Sequence, residues 1–242
     1  MQKFRVSFFM LPLFAGMMLV SCKKDAEFVE EEAQIEQKPG IFEGDHTTLT
    51  PEREREIAEF ENYRRTGLVL DEVYRGFTIN WGANVPADIV TLIKADVDRV
   101  FTSGVTSTTI TRMQGAPINV FDGGTSGNLY YTGGQVYITS YSQYRSVQSQ
   151  TPAGPVIFHE LIHYYHDRHI TGGFNNTTVN NLYNNAKRKK AYPRTAYVLT
   201  NNREYLATSS EGYFPTTFRI PYTPAYVTQQ DPDCATYLAA NF

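Results

Sequence analysis

Of the five histidines in the chain, three fall within one stretch, Pro155-Val156-Ile157-Phe158-His159-Glu160-Leu161-Ile162-His163-Tyr164-Tyr165-His166. The stretch contains His-Glu-x-x-His. On a helix, positions i and i+4 share a face, so His159 and His163 present two imidazoles to one Zn²⁺ ion. Glu160 is rotated about 100° from His159. It can therefore lie beside the ion without binding it and take the proton of a water that attacks a carbonyl. Val156, Ile157, Phe158, Leu161 and Ile162 predict an embedded helix, and no breaker interrupts the run.

A catalytic zinc site usually has a third protein ligand and one open position. His166 and His169 lie farther along the same helix, about 10 and about 15 Å along the axis from His159. Zn–N bonds of roughly 2.1 Å do not span that unless the helix breaks. The pattern that makes the break is His-Glu-x-x-His-x-x-Gly-x-x-His with a later methionine turn. Here His166 stands at the Gly position, and the last methionine is Met113. The acids beyond His163 are Asp167, Glu204, Glu211, Asp231 and Asp233. Asp167 shares the axial problem, and Asp231-Pro232-Asp233 suits a turn. Glu204 opens a segment that forms a second helix with Glu204, Ala207 and Glu211 on one face. With small Ala207 allowing close approach, Glu204 is the best third ligand, which is the gluzincin arrangement. Glu211, two turns on, either accepts a hydrogen bond from a ligating ring or is an ordinary helix-pairing carboxylate. His166 is placed with Glu211 among the residues expected to support the ligands.

Other elements must hold these two helices. Thr50-Pro51-Glu52 is a helix start, predicting a helix over 51–65 with Ile57, Phe60 and Tyr63 inward. Residues 76–81 alternate as a half-buried strand. Pro86 opens a helix in which Ile89, Ile93, Val97 and Val100 recur at helical spacing. Strands are expected over 118–121 and 135–141, with turns at Gly123-Gly124 and Gly133-Gly134, and a helical C-terminal half.

The chain has 242 residues, a formal charge of −3, 41% hydrophobic and 14% aromatic residues, which exclude wholesale disorder. The near-neutral balance gives no basic stripe, so no nucleic-acid partner is expected. Two cysteines exclude a disulfide scaffold and a Cys-rich zinc module. Lys3 and Arg5 precede an apolar stretch over 6–20, shorter than the roughly 20 residues of a spanning helix, as in a secretory signal. It ends in Leu19-Val20-Ser21-Cys22, which looks like a bacterial lipobox and implies cleavage before Cys22 and a lipid on its thiol. The expectation is a cell-envelope lipoprotein at an outer membrane or the cell surface, anchored through Cys22. Residues 1–21 are then the signal, 22–48 an acidic flexible tether in which His46 is incidental, and 49–242 the folded domain. Cys234 is expected to be a buried structural cysteine.

His159-Glu160-x-x-His163 followed by Tyr197-Val-Leu-Thr-Asn201-Asn-Arg-Glu204-Tyr-Leu-Ala resembles the gluzincin metallopeptidase domain of anthrax lethal factor and the Pro-Pro endopeptidases. The resemblance covers about residues 150–215. It implies an α+β, zincin-like fold in which an N-terminal sheet-plus-helix subdomain carries the active-site helix and a helical C-terminal subdomain delivers Glu204. It also implies that Tyr197 donates its hydroxyl to a developing oxyanion. The expected activity is zinc-dependent hydrolysis of a peptide or protein substrate. Two alternatives stand beside it: a non-catalytic surface-binding lipoprotein with the same fold, and a metal amidohydrolase acting on a non-peptide amide.

Overall fold

The structure, a computed structural model, describes residues 45, 47–67, 69–123, 129–150, 154–214 and 223–242. The expected signal, Cys22, the tether up to residue 44 and His46 lie outside the described residues. Among the described residues the fold is α+β, with nine helices and a five-stranded mixed sheet. No described helix is long and apolar enough to cross a membrane.

Helix α1 (Pro51–Arg65) begins as predicted. Thr50 accepts from the Arg53 amide, Pro51 opens the first turn, and Glu52 and Glu54 occupy it, where unpaired amides favour acids. Its inner face is the expected one with two polar members added: Phe60 is buried and Ile57 packs partly covered against the same cluster, Tyr63 is partly covered, and Arg53 and Glu56 are buried beside them. Polar anchors hold the two charged side chains there. Thr139 donates to Glu56 at 3.1 Å, and the Arg53 guanidinium lies 4.6 Å from the centre of the Tyr130 ring.

Strands β1 (Leu70–Tyr74) and β2 (Phe77–Trp81) form a hairpin through Arg75 and Gly76, at φ 48° and 85°. Positive φ at both positions matches a two-residue turn to the twist of its strands. The chain crosses through α2 (Ala87–Thr102) and α3 (Ser107–Met113) to β3 (Ile118–Val120), which runs parallel to β2. A second hairpin, β4 (Leu129–Thr132) and β5 (Gln135–Ile138), turns at Gly133-Gly134 and sets β5 parallel to β3. The sheet order is β1-β2-β3-β5-β4. Residues 139–141, expected to extend the last strand, leave the sheet instead. Ser140 accepts from the Gln143 amide and starts α4 (Tyr141–Gln148).

One sheet face packs Phe77, Ile79, Ile118, Val120, Val136 and Ile138 against the predicted α2 stripe of Ile89, Ile93, Val97 and Val100. The other meets α1 through Phe60, Phe121, Tyr130 and Tyr137. Strand alternation puts Asn80 and Asn119 on that second face, where Asn80 Nδ2 donates to Asn119 Oδ1 at 2.7 Å and both side chains are buried.

Beyond β5 the described elements are helical: α4, α5 (Val156–His169), α6 (Thr177–Lys189), α7 (Asn202–Tyr213), α8 (Pro224–Gln230) and α9 (Pro232–Asn241), with 3-10 turns at Gly173–Asn175 and Tyr197–Leu199. Helix α5 is buried continuously from Val156 to His166 and packs against α2, α3, α7, β4 and β5. A helix covered on all sides is a core helix. Its N-cap position is Pro155, which makes no capping bond with a side chain. Asp96 of α2 takes over that task from a distance. Its Oδ2 accepts from the Ile157 amide at 3.0 Å, Tyr144 Oη at 2.9 Å and Gln148 Nε2 at 3.3 Å, and its Oδ1 pairs with Arg99 at 3.0 Å. Burial raises the Asp96 pKa, and Arg99 works against that rise. Asp96→Ala leaves Arg99 and the Ile157 amide without their buried partner. It is expected to lower the unfolding free energy by about 3–5 kcal/mol, read from denaturant melts. A loss below about 1 kcal/mol would show that α5 needs no such anchor.

Candidate metal centre

Helix α5 supplies His159 and His163 one turn apart, with ring centres 4.7 Å apart. Helix α7 supplies Glu204. Asn201 caps that helix by accepting from the Arg203 and Glu204 amides at 2.8 and 2.9 Å. An acid three residues after a capping residue commonly reaches back to it; here the Glu204 carboxylate is turned to the histidines. Glu204 Oε2 lies 3.1 Å from His159 Nε2 and 3.4 Å from His163 Nε2, and the two ring nitrogens are 3.1 Å apart. All three side chains are fully buried, and among the described residues this group could hold a metal ion. Donors held 2.0–2.2 Å from one tetrahedral ion lie roughly 3.3–3.6 Å from one another, so the observed triangle, with edges of 3.1, 3.1 and 3.4 Å, is slightly tighter than one face of such a tetrahedron. Two neutral imidazoles and a carboxylate are also a donor set that zinc accepts.

The remaining predicted residues gather around this triangle with one exception. Glu211, two turns after Glu204, accepts from Nδ1 of His159, the ring nitrogen facing away from the triangle. That bond fixes the tautomer and the ring angle. His163 has no such partner at Nδ1; its ring lies beside Tyr131, with centroids 6.4 Å apart. Glu160 is fully buried next to the group, and its charge acts on both His159 and Tyr197. Tyr197, in the 3-10 turn before α7, donates to Glu204 Oε2 at 2.6 Å. His166 is the exception. It is buried, neither ring nitrogen has a partner of good geometry, and its ring meets Phe174 edge-on at 5.1 Å. It makes no hydrogen bond to a ligand. Asp167, set aside because of its axial offset, accepts from Tyr131 at 2.6 Å instead.

Electrostatics fit a cation. Burial works against a charged His159, yet Glu211 and Glu204 outweigh it and raise the pKa well above the histidine range. Burial likewise opposes ionisation of Glu204, but His163 and His159 hold its pKa well below the carboxylate range. Burial and the Glu204 charge push the Tyr197 hydroxyl well above its ordinary value, which keeps it a donor. Asp96 is the supporting residue that sequence reasoning missed. Its signal was an acid between Ile93 and Val97 on the inner stripe of α2, together with a proline where α5 needs a cap.

No protein-family model matches the chain, and no curated protein or solved structure matches it. The site's own geometry carries its interpretation.

Burial, aided by His163 and Arg203, pushes the His166 pKa down to about 3. The unfolded chain, with an ordinary histidine near 6.5, takes up the proton first on acidification. The contribution of His166 is therefore fully present above about 6.5 and is lost as pH falls toward about 3. His166→Leu is expected to retain metal and to show a smaller fall in Tm between about pH 7 and about pH 4 than the unsubstituted protein. Equal falls would contradict this assignment.

Proposed function

We propose that the chain is a zinc-dependent metallopeptidase with a zincin-like fold, anchored by lipid on Cys22 outside the cytoplasm at an outer membrane or the cell surface. The observation that carries the reading is the buried triangle of His159, His163 and Glu204, with Glu160 and Tyr197 at its side. The membrane part rests on the lipobox-like sequence alone.

His159, His163 and Glu204 would hold the zinc, which when bound would supply Lewis acidity toward a carbonyl and toward water. The residues of the chain handle the protons. Glu160 removes one from the attacking water and returns it to the departing amine, so the carboxylate is restored at the end of a turnover. Tyr197 turns its hydroxyl from Glu204 to the carbonyl oxygen as negative charge develops there. Glu211 keeps the His159 ring in the tautomer whose free nitrogen faces the metal.

Three substitutions test these roles. Glu160→Gln is expected to bind zinc stoichiometrically and lose hydrolysis of a peptide library; full turnover in that variant would sink the mechanism. Tyr197→Phe removes one donor and should lower kcat by about 10²–10³-fold with little change in KM. Glu211→Ala is expected to weaken zinc binding by about 10–100-fold in competition with a chelator. In each case chelation of the unsubstituted protein should abolish turnover, and zinc should restore it.

A further inference from the structure

Three carboxylates and two imidazoles account for the metal centre, but not for the residue beside Glu204. Arg203 occupies the second position of α7. A cation in the first turn of a helix faces the positive end of its dipole and is unfavourable there. The structure compensates it in two ways. The Arg203 guanidinium lies 4.5 Å from the centre of the Phe174 ring, and its Nη1 donates to Thr47 Oγ1 at 2.5 Å while lying 3.6 Å from the Asp45 carboxylate. Thr47 is buried, although the segment containing it reads as tether in the sequence.

That segment is itself secured. Asp45 accepts from the Thr47 amide and hydroxyl at 2.8 and 2.5 Å and from Thr48 Oγ1 at 2.5 Å. Arg53, buried on α1, donates to the carbonyls of Asp45 and Thr48 at 2.9 and 2.6 Å. On the other side, Asn202 donates to the Phe174 carbonyl at 2.8 Å, and Phe174 packs on His166 and Tyr131. The first turn of α7 is thus gripped from both sides. A helix end frays more readily than its middle, and a zinc ligand at the third helical position tolerates little such motion.

We infer, on the zinc reading above, that Arg203 is a positioning residue for Glu204, with Asp45 and Thr47 forming the strap that holds it. The strap includes none of the three candidate ligands, so it bears on the metal by way of the first turn of α7 that carries Glu204. The test uses the full chain with Asp45→Ala/Thr47→Ala, and separately Arg203→Gln. Zinc affinity is measured by chelator competition, the visible spectrum is taken after cobalt(II) replaces zinc, and the metal-free protein is melted. Both variants are expected to bind zinc about 10-fold more weakly and to show a weaker four-coordinate cobalt band. The metal-free Tm of the double variant should stay close to that of the unsubstituted protein. Unchanged zinc affinity and an unchanged cobalt spectrum in both variants overturn this inference alone. Equal losses of affinity and of metal-free stability also overturn it, since they mark a purely structural contact. Absence of stoichiometric zinc from the unsubstituted protein overturns the zinc reading and this inference with it.

Discussion

Closure of Glu204 onto the two imidazoles is the contact on which the rest of the architecture depends. Two histidines one turn apart follow from local helix geometry. The acid that meets His159 lies 45 residues farther along the chain, and only tertiary structure can bring it there. Glu160 and Glu211 are buried with it. Carboxylates in a low-dielectric interior are costly unless paired, so this part of the core favours a cation. A metal held there would be coupled to the fold, as binding at a site absent from the unfolded chain requires.

The helices that carry the candidate ligands are anchored in different ways. Helix α5 is core throughout, so its position follows from packing on the sheet, on α2 and on α7. What packing leaves undone, the Ile157 amide in the first turn, falls to Asp96. Helix α7 is buried from Glu204 to Gly212 as well, but it presents its candidate ligand from its first turn, which carries polar fastenings at Asn201, Asn202 and Arg203. Both helices are core elements, and the polar fastenings are concentrated at the first turn of α7.

Much of this was legible in the sequence because the signals were long or chemically specific. The α2 stripe, the α1 start, the α5 motif and the Glu204 helix each combine period with cap or motif, and each lies where it was expected. The structure also brings Tyr197 and Glu211 to the triangle. Short elements were less visible. Strand β1 (Leu-Asp-Glu-Val-Tyr) is an exposed edge without clean alternation, and α4 is short, its buried Tyr141, Tyr144 and Val147 spanning barely two turns. The α1 face lies where its apolar residues point, but it also takes in Arg53 and Glu56, ordinarily surface residues, which partners remote in sequence draw inward. Asp231, read as part of a turn, joins α8 to α9 but is also buried, accepting from Tyr205 at 2.6 Å. Asp96 and Arg203 stayed hidden for the same reason: their roles exist only across elements.

The amide pair between β2 and β3 bears on how the sheet finds its alignment. Sliding one strand by a single residue turns every side chain over. For these strands that would drive Asn80 or Asn119 in among the isoleucines and valines and break the bond between the amides. Such a misthreaded sheet would be penalised twice, once for exposed hydrocarbon and once for stranded amides. The pair thus acts as a proofreading mark for assembly. It admits the one strand alignment that presents the correct floor to the central helix.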